Sequence, residues 1–184
     1  MIRKLVLLFL LLLIGCHNNP EICILSDYGY SSVKPYLTTG THVSFLDKYA
    51  MCGEVNKREH FIHPEWVNKS NRHNISSIEE MVNILKTYKA NSISVIFFGT
   101  HGQPGQSVLN GKNILDKKDV KIIKTRLNKN GIFVFTGCSI ALDFRKVSAF
   151  AKRIGHSVIA ATSNTDNDPE VSLWMKGVWV QFNP

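Results

Sequence analysis

Ile93-Ser-Val-Ile-Phe-Phe-Gly-Thr-His-Gly102 decides the fold of this chain, and Ile132-Phe-Val-Phe-Thr-Gly-Cys-Ser139 repeats its pattern. Each stretch predicts a short buried strand that ends near a glycine and is followed by a reactive side chain. In a parallel sheet, adjacent strands lie about 4.8 Å apart and their carboxyl ends meet at one edge. We therefore expect His101 and Cys138 to face each other across a crevice, as a base and a cysteine nucleophile must.

Apolar stripes at helical spacing predict three helices beside these strands. The first begins at a capping-box pattern in which Ser76 is the N-cap and Glu79 follows three residues later. The second has Asp116 as its N-cap and stops at Gly131. The third ends at Ile154, just before a glycine.

Three further strands are predicted at residues 21–26, 157–162 and 177–182, the last of which alternates like an edge strand. Residues 30–74 have weak periodicity and predict a mixture of loops and short elements. Because strands and helices alternate along the chain, the predicted fold class is α/β, with a mostly parallel sheet flanked by helices on both faces.

The N-terminus has the features of an export signal. Met1-Ile-Arg-Lys4 is basic, Leu5–Ile14 contains no polar residue, and Leu13-Ile-Gly-Cys16 resembles the bacterial lipobox. The apolar run is too short to span a bilayer. The resemblance implies a lipid on Cys16 and an exported lipoprotein of a bacterial cell envelope. An ordinary signal peptide with an incidental cysteine, or a buried helix, is the alternative.

These signals divide the 184 residues into a signal peptide (1–15), a short tether (16–20) and a single domain (21–184). The formal net charge is +8, and lysines cluster in 112–129 and 145–153. A solvated helical surface explains such clusters, and a weak attraction to anionic lipid or to an acidic partner is the alternative. We find no nucleic-acid-binding motif.

The four cysteines have different expected roles. Cys16 is the predicted lipidation site, and export permits a disulfide between two of the others. Cys23 and Cys52 could pair, although their spacing does not establish that they are close enough. Cys138 is then expected to remain outside any disulfide.

The residues around Cys138 favour nucleophilic chemistry. A helix expected to start at about Ser139 or Asp143 would direct its positive dipole end toward the sulfur and lower the thiol pKa. His101, in a glycine-rich loop, is placed to act as the general base. The N–H groups of Gly102 and Cys138 could stabilise an oxyanion. The alternatives are a buried structural cysteine and a loop histidine that bonds a neighbouring carbonyl.

His101-Gly-Gln-Pro-Gly105, followed later by Gly137-Cys-Ser-Ile-Ala141, resembles the caspase-like cysteine peptidases of clan CD, which include caspases, clostripain, gingipains and CHAT domains. The resemblance is greatest to a bacterial caspase-like domain of surface and secreted proteins. It covers about residues 75–165 and implies a Cys138–His101 dyad with Cys138 as the nucleophile. Peptide or protein substrates are expected, with neither metal nor organic cofactor.

Other candidate sites are less well supported. Clan members usually bind the residue before the cleaved bond in a shaped or charged pocket, for which Asp143, Asp166 and Asp168 are candidates, although each suits a cap or a turn. His60-x-x-His63 is at most half of a metal site, and a surface turn explains it more simply. Phosphatase, P-loop and dinucleotide-binding motifs do not match the spacing.

Two functional hypotheses follow. The first is a lipid-anchored, caspase-like cysteine endopeptidase that works through an acyl-enzyme. The second is a non-catalytic lipoprotein that retains the same fold as a binding module, because a fold does not by itself imply an activity. A different cysteine-acyl enzyme, such as a transpeptidase or an amidase, is a third possibility.

Overall fold

A computed structural model describes residues 22–28, 33–37, 40–48, 68, 71–118, 120–163, 166–168 and 173–184. The strands are β1 (Ile22–Tyr28), β2 (Thr41–Asp47), β3 (Arg72–Ile75), β4 (Ile93–Gly99), β5 (Gly102–Gln103), β6 (Gln106–Leu109), β7 (Lys112–Asn113), β8 (Leu127–Phe135), β9 (Ser157–Ala161), β10 (Asp166–Asp168) and β11 (Leu173–Phe182). The α-helices are α1 (Ile78–Thr87), α2 (Lys121–Arg126) and α3 (Phe144–Ile154), and short 3-10 turns lie at Lys34–Tyr36, Ile114–Asp116 and Ile140–Leu142.

The main sheet has eight strands in the order β1-β11-β9-β8-β4-β2-β3, with β10 pairing to β11. The five strands from β9 to β3 are mutually parallel. β11 is antiparallel to β9, and β1 and β10 are antiparallel to β11. The predicted α/β class with a mostly parallel sheet is therefore confirmed. A separate three-stranded sheet, β5-β6-β7, lies between β4 and α2 in the chain.

Side chains alternate between two apolar layers, one on each face of the sheet. The face that packs against α1, α2 and α3, here called the helical face, includes Ile96, Phe98, Phe133 and Phe135. The opposite face includes Val95, Phe97, Ile132 and Val134. On that opposite face the segment 33–37 contributes Val33, Tyr36 and Leu37.

All three described α-helices therefore lie on one face, whereas the sequence predicts helices on both. The strand order explains this difference. The chain passes from β3 to β4, then to β8 and β9, always in the same direction across the sheet. Right-handed crossovers, which are the rule for parallel strands, then place every connecting helix on the same face.

An aromatic cluster joins the sheet to α3. The Phe133 ring lies 4.9 Å from Phe135, 5.4 Å from Phe150 and 6.0 Å from Phe98, measured between ring centroids. All four side chains are fully buried. Edge-to-face pairs of this kind contribute about 0.5–1.5 kcal/mol each beyond their burial. The cluster fixes α3 over the two strands that precede the candidate site.

The second helix is shorter than predicted. α2 covers only Lys121–Arg126 with Val120 as its N-cap, and Asp116 lies in a preceding 3-10 turn. Leu127 begins β8, where it pairs with Ile93 of β4. The apolar residue expected on the helix is thus buried by strand pairing instead.

The N-cap of α1 is displaced by one residue from the prediction. Ser77 is the cap, and its hydroxyl accepts the Glu80 N–H at 3.1 Å. The Glu80 carboxylate in turn accepts the N–H and the hydroxyl of Ser76, at 2.8 and 2.9 Å. The expected capping box is therefore present, but the Glu80 carboxylate bonds the backbone N–H of Ser76, one residue before the cap, and not that of Ser77.

Two strand assignments also differ. β11 is not an edge strand, because β1 pairs along its outer side. β2 lies inside the sheet between β3 and β4, within a segment for which the sequence predicts loops and short elements. Its buried Val43 and Phe45 face the helices, whereas Ser44 faces the opposite side.

Phe150 and Phe144 form a matched pair on α3 for testing the aromatic cluster. Phe150→Ala should lower the free energy of unfolding by about 3–5 kcal/mol, because it leaves a cavity against Phe133 and Phe135. Phe144 is 42% exposed, so Phe144→Ala should cost roughly 1 kcal/mol or less. Equilibrium urea denaturation measures both. Equal losses would contradict the assignment of Phe150 to the core.

Glu79 connects α1 to the segment around β7. Lys112 Nζ donates to its carboxylate at 3.0 Å and Lys117 Nζ at 3.3 Å. The Lys112 hydrogen bond, supported by the Glu79 backbone N–H and by Lys117, lowers the pKa of this carboxyl from 4.5 to about 2. The pair is exposed, so salt screens it.

The stabilisation by Glu79 should depend on pH. A depressed carboxyl pKa contributes stability above about pH 4.5, and this contribution disappears as the pH falls toward 2. Glu79→Gln should therefore lower the urea midpoint slightly near neutral pH, and the two proteins should converge between pH 4.5 and 2. A difference that persists unchanged to the lowest pH would contradict this origin. Added salt should reduce it.

Candidate active site

The loops that carry His101 and Cys138 begin side by side. β4 and β8 are adjacent parallel strands, and Phe98 pairs with Phe135 at their carboxyl ends. The Thr136 N–H donates to the Phe98 carbonyl oxygen at 3.1 Å, which continues the pairing one residue beyond β8. The predicted meeting of the two strand ends at one sheet edge is thus present in the backbone.

Two glycines allow these loops to approach closely. A Cβ at Gly102 would overlap the carbonyl oxygen of Cys138 and lie 2.7 Å from its amide nitrogen. A Cβ at Gly137 would lie 2.6 Å from the Thr100 carbonyl oxygen. His101 and Cys138 therefore project from two backbone segments that touch each other.

The segment that follows His101 folds into two consecutive hairpins. The first turn is Pro104-Gly105, where Gly105 has a φ of +64°. The second is Asn110-Gly111, with φ values of 49° and 72°, as a two-residue type I′ turn requires. An Asn-Gly pair between short strands is a strong hairpin signal, and it is the local feature from which this hairpin could have been predicted.

Asn113 holds the hairpins together with all four hydrogen-bonding positions of its side chain. Its Oδ1 accepts the N–H groups of Ser107 at 3.0 Å and Leu115 at 3.2 Å. Its Nδ2 donates to the Gly105 carbonyl and to Asp116 Oδ2, both at 3.0 Å. One half-buried amide thus fixes the geometry of the loop that follows His101.

A buried hydroxyl pair adds a second constraint. Thr100 Oγ1 lies 2.7 Å from Ser107 Oγ and donates to the His101 carbonyl oxygen at 2.9 Å. Both hydroxyl-bearing residues are buried. The backbone on either side of the histidine is consequently anchored to the hairpin, while the His101 side chain itself is exposed.

The hairpin is tied directly to the cysteine loop. The Gly105 N–H donates to the Ile140 carbonyl oxygen at 3.0 Å. A Cβ at Gly105 would lie 2.7 Å from the Asp143 side chain. Asp143 is the N-cap of α3, where its Oδ1 accepts the Lys146 N–H at 3.1 Å. Of the three candidate specificity carboxylates, this one is therefore a cap.

Cys138 is half-buried, and its sulfur is in no disulfide with a described residue. The expected helix does not follow it directly. Ser139 has a φ of 54°, the 3-10 turn Ile140–Leu142 comes next, and α3 begins only at Phe144. Of the two expected starts, Asp143 is therefore confirmed as the N-cap, and eight residues, 136–143, lie between β8 and α3.

The Gly102 N–H has an identifiable direction. β5 and β6 are joined by two residues, so Gly102 and Ser107 form the non-hydrogen-bonded pair of the ladder. The Ser107 N–H donates to Asn113 instead. The Gly102 N–H thus points away from β6, and its nitrogen lies 3.0 Å from the position of a Cβ on Gly137.

The remaining candidates lie partly outside the described residues. Cys16, Cys52, His60 and His63 fall outside them, and so does the predicted signal peptide. The backbone of Cys23, in β1, is described, and its side chain is not. The same holds for Asp166 and Asp168 on β10.

Within the described ranges, no group of three or more His, Cys, Asp or Glu side chains could hold a metal ion. None of the helices in this part of the chain is long and apolar enough to cross a membrane. Comparisons with protein-family models, with curated proteins and with solved structures found no match for this chain. The function is therefore inferred from the geometry of the two loops and from the sequence resemblance.

The close contact at Gly102 can be tested by adding one carbon atom. Gly102→Ala should lower the free energy of unfolding by about 1–3 kcal/mol and change the rate at which Cys138 reacts with a small thiol reagent, because the loops must separate. Gly111→Ala is the control. Its site is open, and only its φ of +72° is strained, so it should cost about 1 kcal/mol and leave the thiol rate unchanged. Identical thiol rates in all three proteins would contradict the contact.

Proposed function

We propose that this chain is a lipid-anchored, caspase-like cysteine endopeptidase in which Cys138 is the nucleophile and His101 the general base. The observation that carries the proposal is the direct backbone contact between the loop of Gly102 and the loop of Cys138, at the carboxyl ends of adjacent parallel strands. Open sheets of this class bind ligands at that edge. The resemblance to clan CD peptidases supports the same pair of residues.

The chemistry requires only these two side chains and backbone donors. His101 accepts the proton of the Cys138 thiol, and the thiolate forms a bond to the carbonyl carbon of the substrate. The oxyanion that develops is stabilised by the N–H groups proposed for it, those of Gly102 and Cys138. The intermediate expels the amine, which takes the proton from His101. Water then attacks the thioester, with His101 again as base, and releases the acid.

The rigidity of the loops supports this role. A base contributes about 10²–10⁴-fold to such a reaction when it is held within hydrogen-bonding reach. The bonds from Thr100 and Asn113 hold the backbone around His101, and the bond from Gly105 to Ile140 holds that backbone against the cysteine loop. In this proposal His101 forms the thiolate by accepting the thiol proton.

The location proposed for the enzyme comes from the N-terminal segment. Cleavage before Cys16 and lipidation of its sulfur would attach the domain to a bacterial membrane on the exported side. The peptidase activity and the lipid anchor are separate proposals, since either one can be wrong while the other is right. Incorporation of radiolabelled palmitate that is abolished by Cys16→Ser tests the anchor.

Labelling with a library of acyloxymethyl-ketone peptides tests the dyad. These reagents alkylate an activated cysteine that has bound the peptide, so the chain should be labelled at Cys138 and Cys138→Ala should abolish the signal. His101→Ala should slow labelling by about 10²–10⁴-fold. His156→Ala is the matched control, because His156 bonds the Gly131 and Lys124 carbonyls, away from the two loops, and should leave the rate unchanged.

The opposite outcome has a definite interpretation. If no member of the library labels Cys138 while a small thiol reagent still does, the sulfur is accessible and lacks a catalytic base. The edge would then serve as a binding module without catalysis. Circular dichroism of each variant separates this outcome from loss of the fold.

A further inference from the structure

Asparagine is followed directly by glycine at two places in the sequence, Asn110-Gly111 and Asn130-Gly131. Such pairs are prone to an intramolecular reaction, because a glycine has no Cβ to keep its backbone nitrogen away from the side-chain amide carbon of the preceding asparagine. Both pairs consist of the same two residues, so the rate at which each reacts in the folded chain depends on its surroundings. The two sites therefore form a natural comparison.

The first pair forms the tip of the hairpin of β6 and β7. Leu109 pairs with Lys112 across the turn, so Asn110 and Gly111 both lie outside the ladder. Both residues are exposed. Apart from the chain neighbours, no described atom lies within 4 Å of a Cβ placed on Gly111. The Asn110 side chain can consequently swing over the Gly111 nitrogen without a clash with another segment.

The second pair is held inside the sheet. Gly131 is buried in β8, and a Cβ placed on it would lie 3.0 Å from the carbonyl oxygens of Asn128 and Ile93. The Asn130 N–H donates to Asn128 Oδ1 at 3.0 Å, and the Gly131 carbonyl oxygen lies 3.2 Å from Nδ1 of His156. Rotation of the backbone between Asn130 and Gly131 would disturb these contacts. Reaction at this pair therefore requires local opening of the sheet.

We propose that Asn110 is a spontaneous modification site of the folded protein, which converts to aspartate and isoaspartate with water as the only co-reactant, whereas Asn130 is retained. The Gly111 backbone nitrogen gives up its proton to solvent and bonds to Cγ of Asn110. The bond from Cγ to the side-chain nitrogen breaks, and ammonia leaves with a proton from solvent. Water then opens the cyclic imide. Attack at Cγ gives aspartate, and attack at the backbone carbonyl carbon gives isoaspartate.

Isoaspartate would change the hairpin more than aspartate would. Its backbone runs through the former side chain, so the turn gains a methylene group as well as a negative charge. A two-residue type I′ turn matches the twist of its strands, and a longer turn loses that match. Asn113, in β7, accepts the Ser107 N–H and donates to the Gly105 carbonyl oxygen. The modification should therefore loosen the hydrogen bonds that fix the loop following His101.

The consequence for the candidate site rests on the proposed function, whereas the modification itself does not. A general base contributes to catalysis only while it is held within reach of the proton that it accepts. In a chain with isoaspartate at position 110, the loop of His101 is held less firmly against the cysteine loop. Such a chain should act more slowly as a peptidase, and the loss should grow with the age of the molecule.

Incubation of the full chain at mildly alkaline pH, with and without urea, tests the modification. Alkali speeds the reaction because it removes the proton of the attacking amide. Mass spectrometry of proteolytic peptides measures the gain in mass at each asparagine, and isoaspartyl methyltransferase counts isoaspartate. In the folded chain Asn110 should convert about tenfold or more faster than Asn130, because opening of the sheet costs free energy. In urea the two should convert at similar rates.

The folded chain also defines the contrary results. Equal conversion of the two asparagines without urea would overturn the proposal, and so would faster conversion of Asn130. Retention of Asn110 in the folded chain, while the same residue converts in urea, would show that the turn protects it and would also overturn the proposal.

Two variants separate the effect of charge from that of turn length. Asn110→Asp adds the charge of the product without the methylene group, and Asn110→Gly suits the same turn and cannot react. Backbone amides of residues 106–113 should exchange hydrogen about tenfold faster in the isoaspartate form, and both variants should keep their protection. Unchanged exchange in the isoaspartate form, or equal loss of protection in Asn110→Asp, would overturn the effect assigned to the longer turn.

Labelling of Cys138 by the peptide reagents distinguishes this inference from the proposed function. Labelling should slow as isoaspartate accumulates, and an Asn110→Gly chain aged in the same way should keep its rate. If the fresh chain is not labelled and isoaspartate still forms at position 110, the peptidase is wrong and the modification stands. If the fresh chain is labelled and Asn110 stays intact on ageing, the modification is wrong and the peptidase stands.

Discussion

The parallel pairing of β4 with β8 is the constraint on which the rest of the structure depends. It places Phe98 beside Phe135, and these rings pack with Phe133 and Phe150 under α3. The same pairing makes the two following loops start about one strand spacing, roughly 4.8 Å, apart. Core and candidate site are therefore two consequences of one register. A shift of that register by one residue would exchange the side chains that one of the two strands presents to the helical face with those on the opposite face.

The site depends on backbone contact more than on its two named side chains. Gly102 lies against Cys138, and the hairpin after His101 is locked by Asn113 and by the bond from Gly105 to Ile140. Such preorganisation serves catalysis, because the reacting groups need not be ordered during the reaction.

Local patterns predicted the elements that are formed by contiguous apolar residues. β4, β8 and α3 were predictable because their buried residues follow the period of a strand or a helix. β2 was not predicted, because the polar His42 and Ser44 lie on the face opposite Val43 and Phe45 and gave no sign of burial, yet Ser44 is fully buried. The length of α2 was not predictable either, because Leu127 suits a helix locally and is recruited into β8 by pairing with Ile93.

The sequence by itself determined the α/β class and the order of the reactive residues, because hydrophobic period and glycine positions are local properties of the chain. The position of all three described helices on one face depends on the order of the strands across the sheet, which long-range pairing decides. The choice between Ser139 and Asp143 as the start of α3 was likewise made in the tertiary structure, where the Ile140 carbonyl oxygen accepts the Gly105 N–H from a distant segment. Such packing between segments far apart in the chain leaves no local pattern in the sequence.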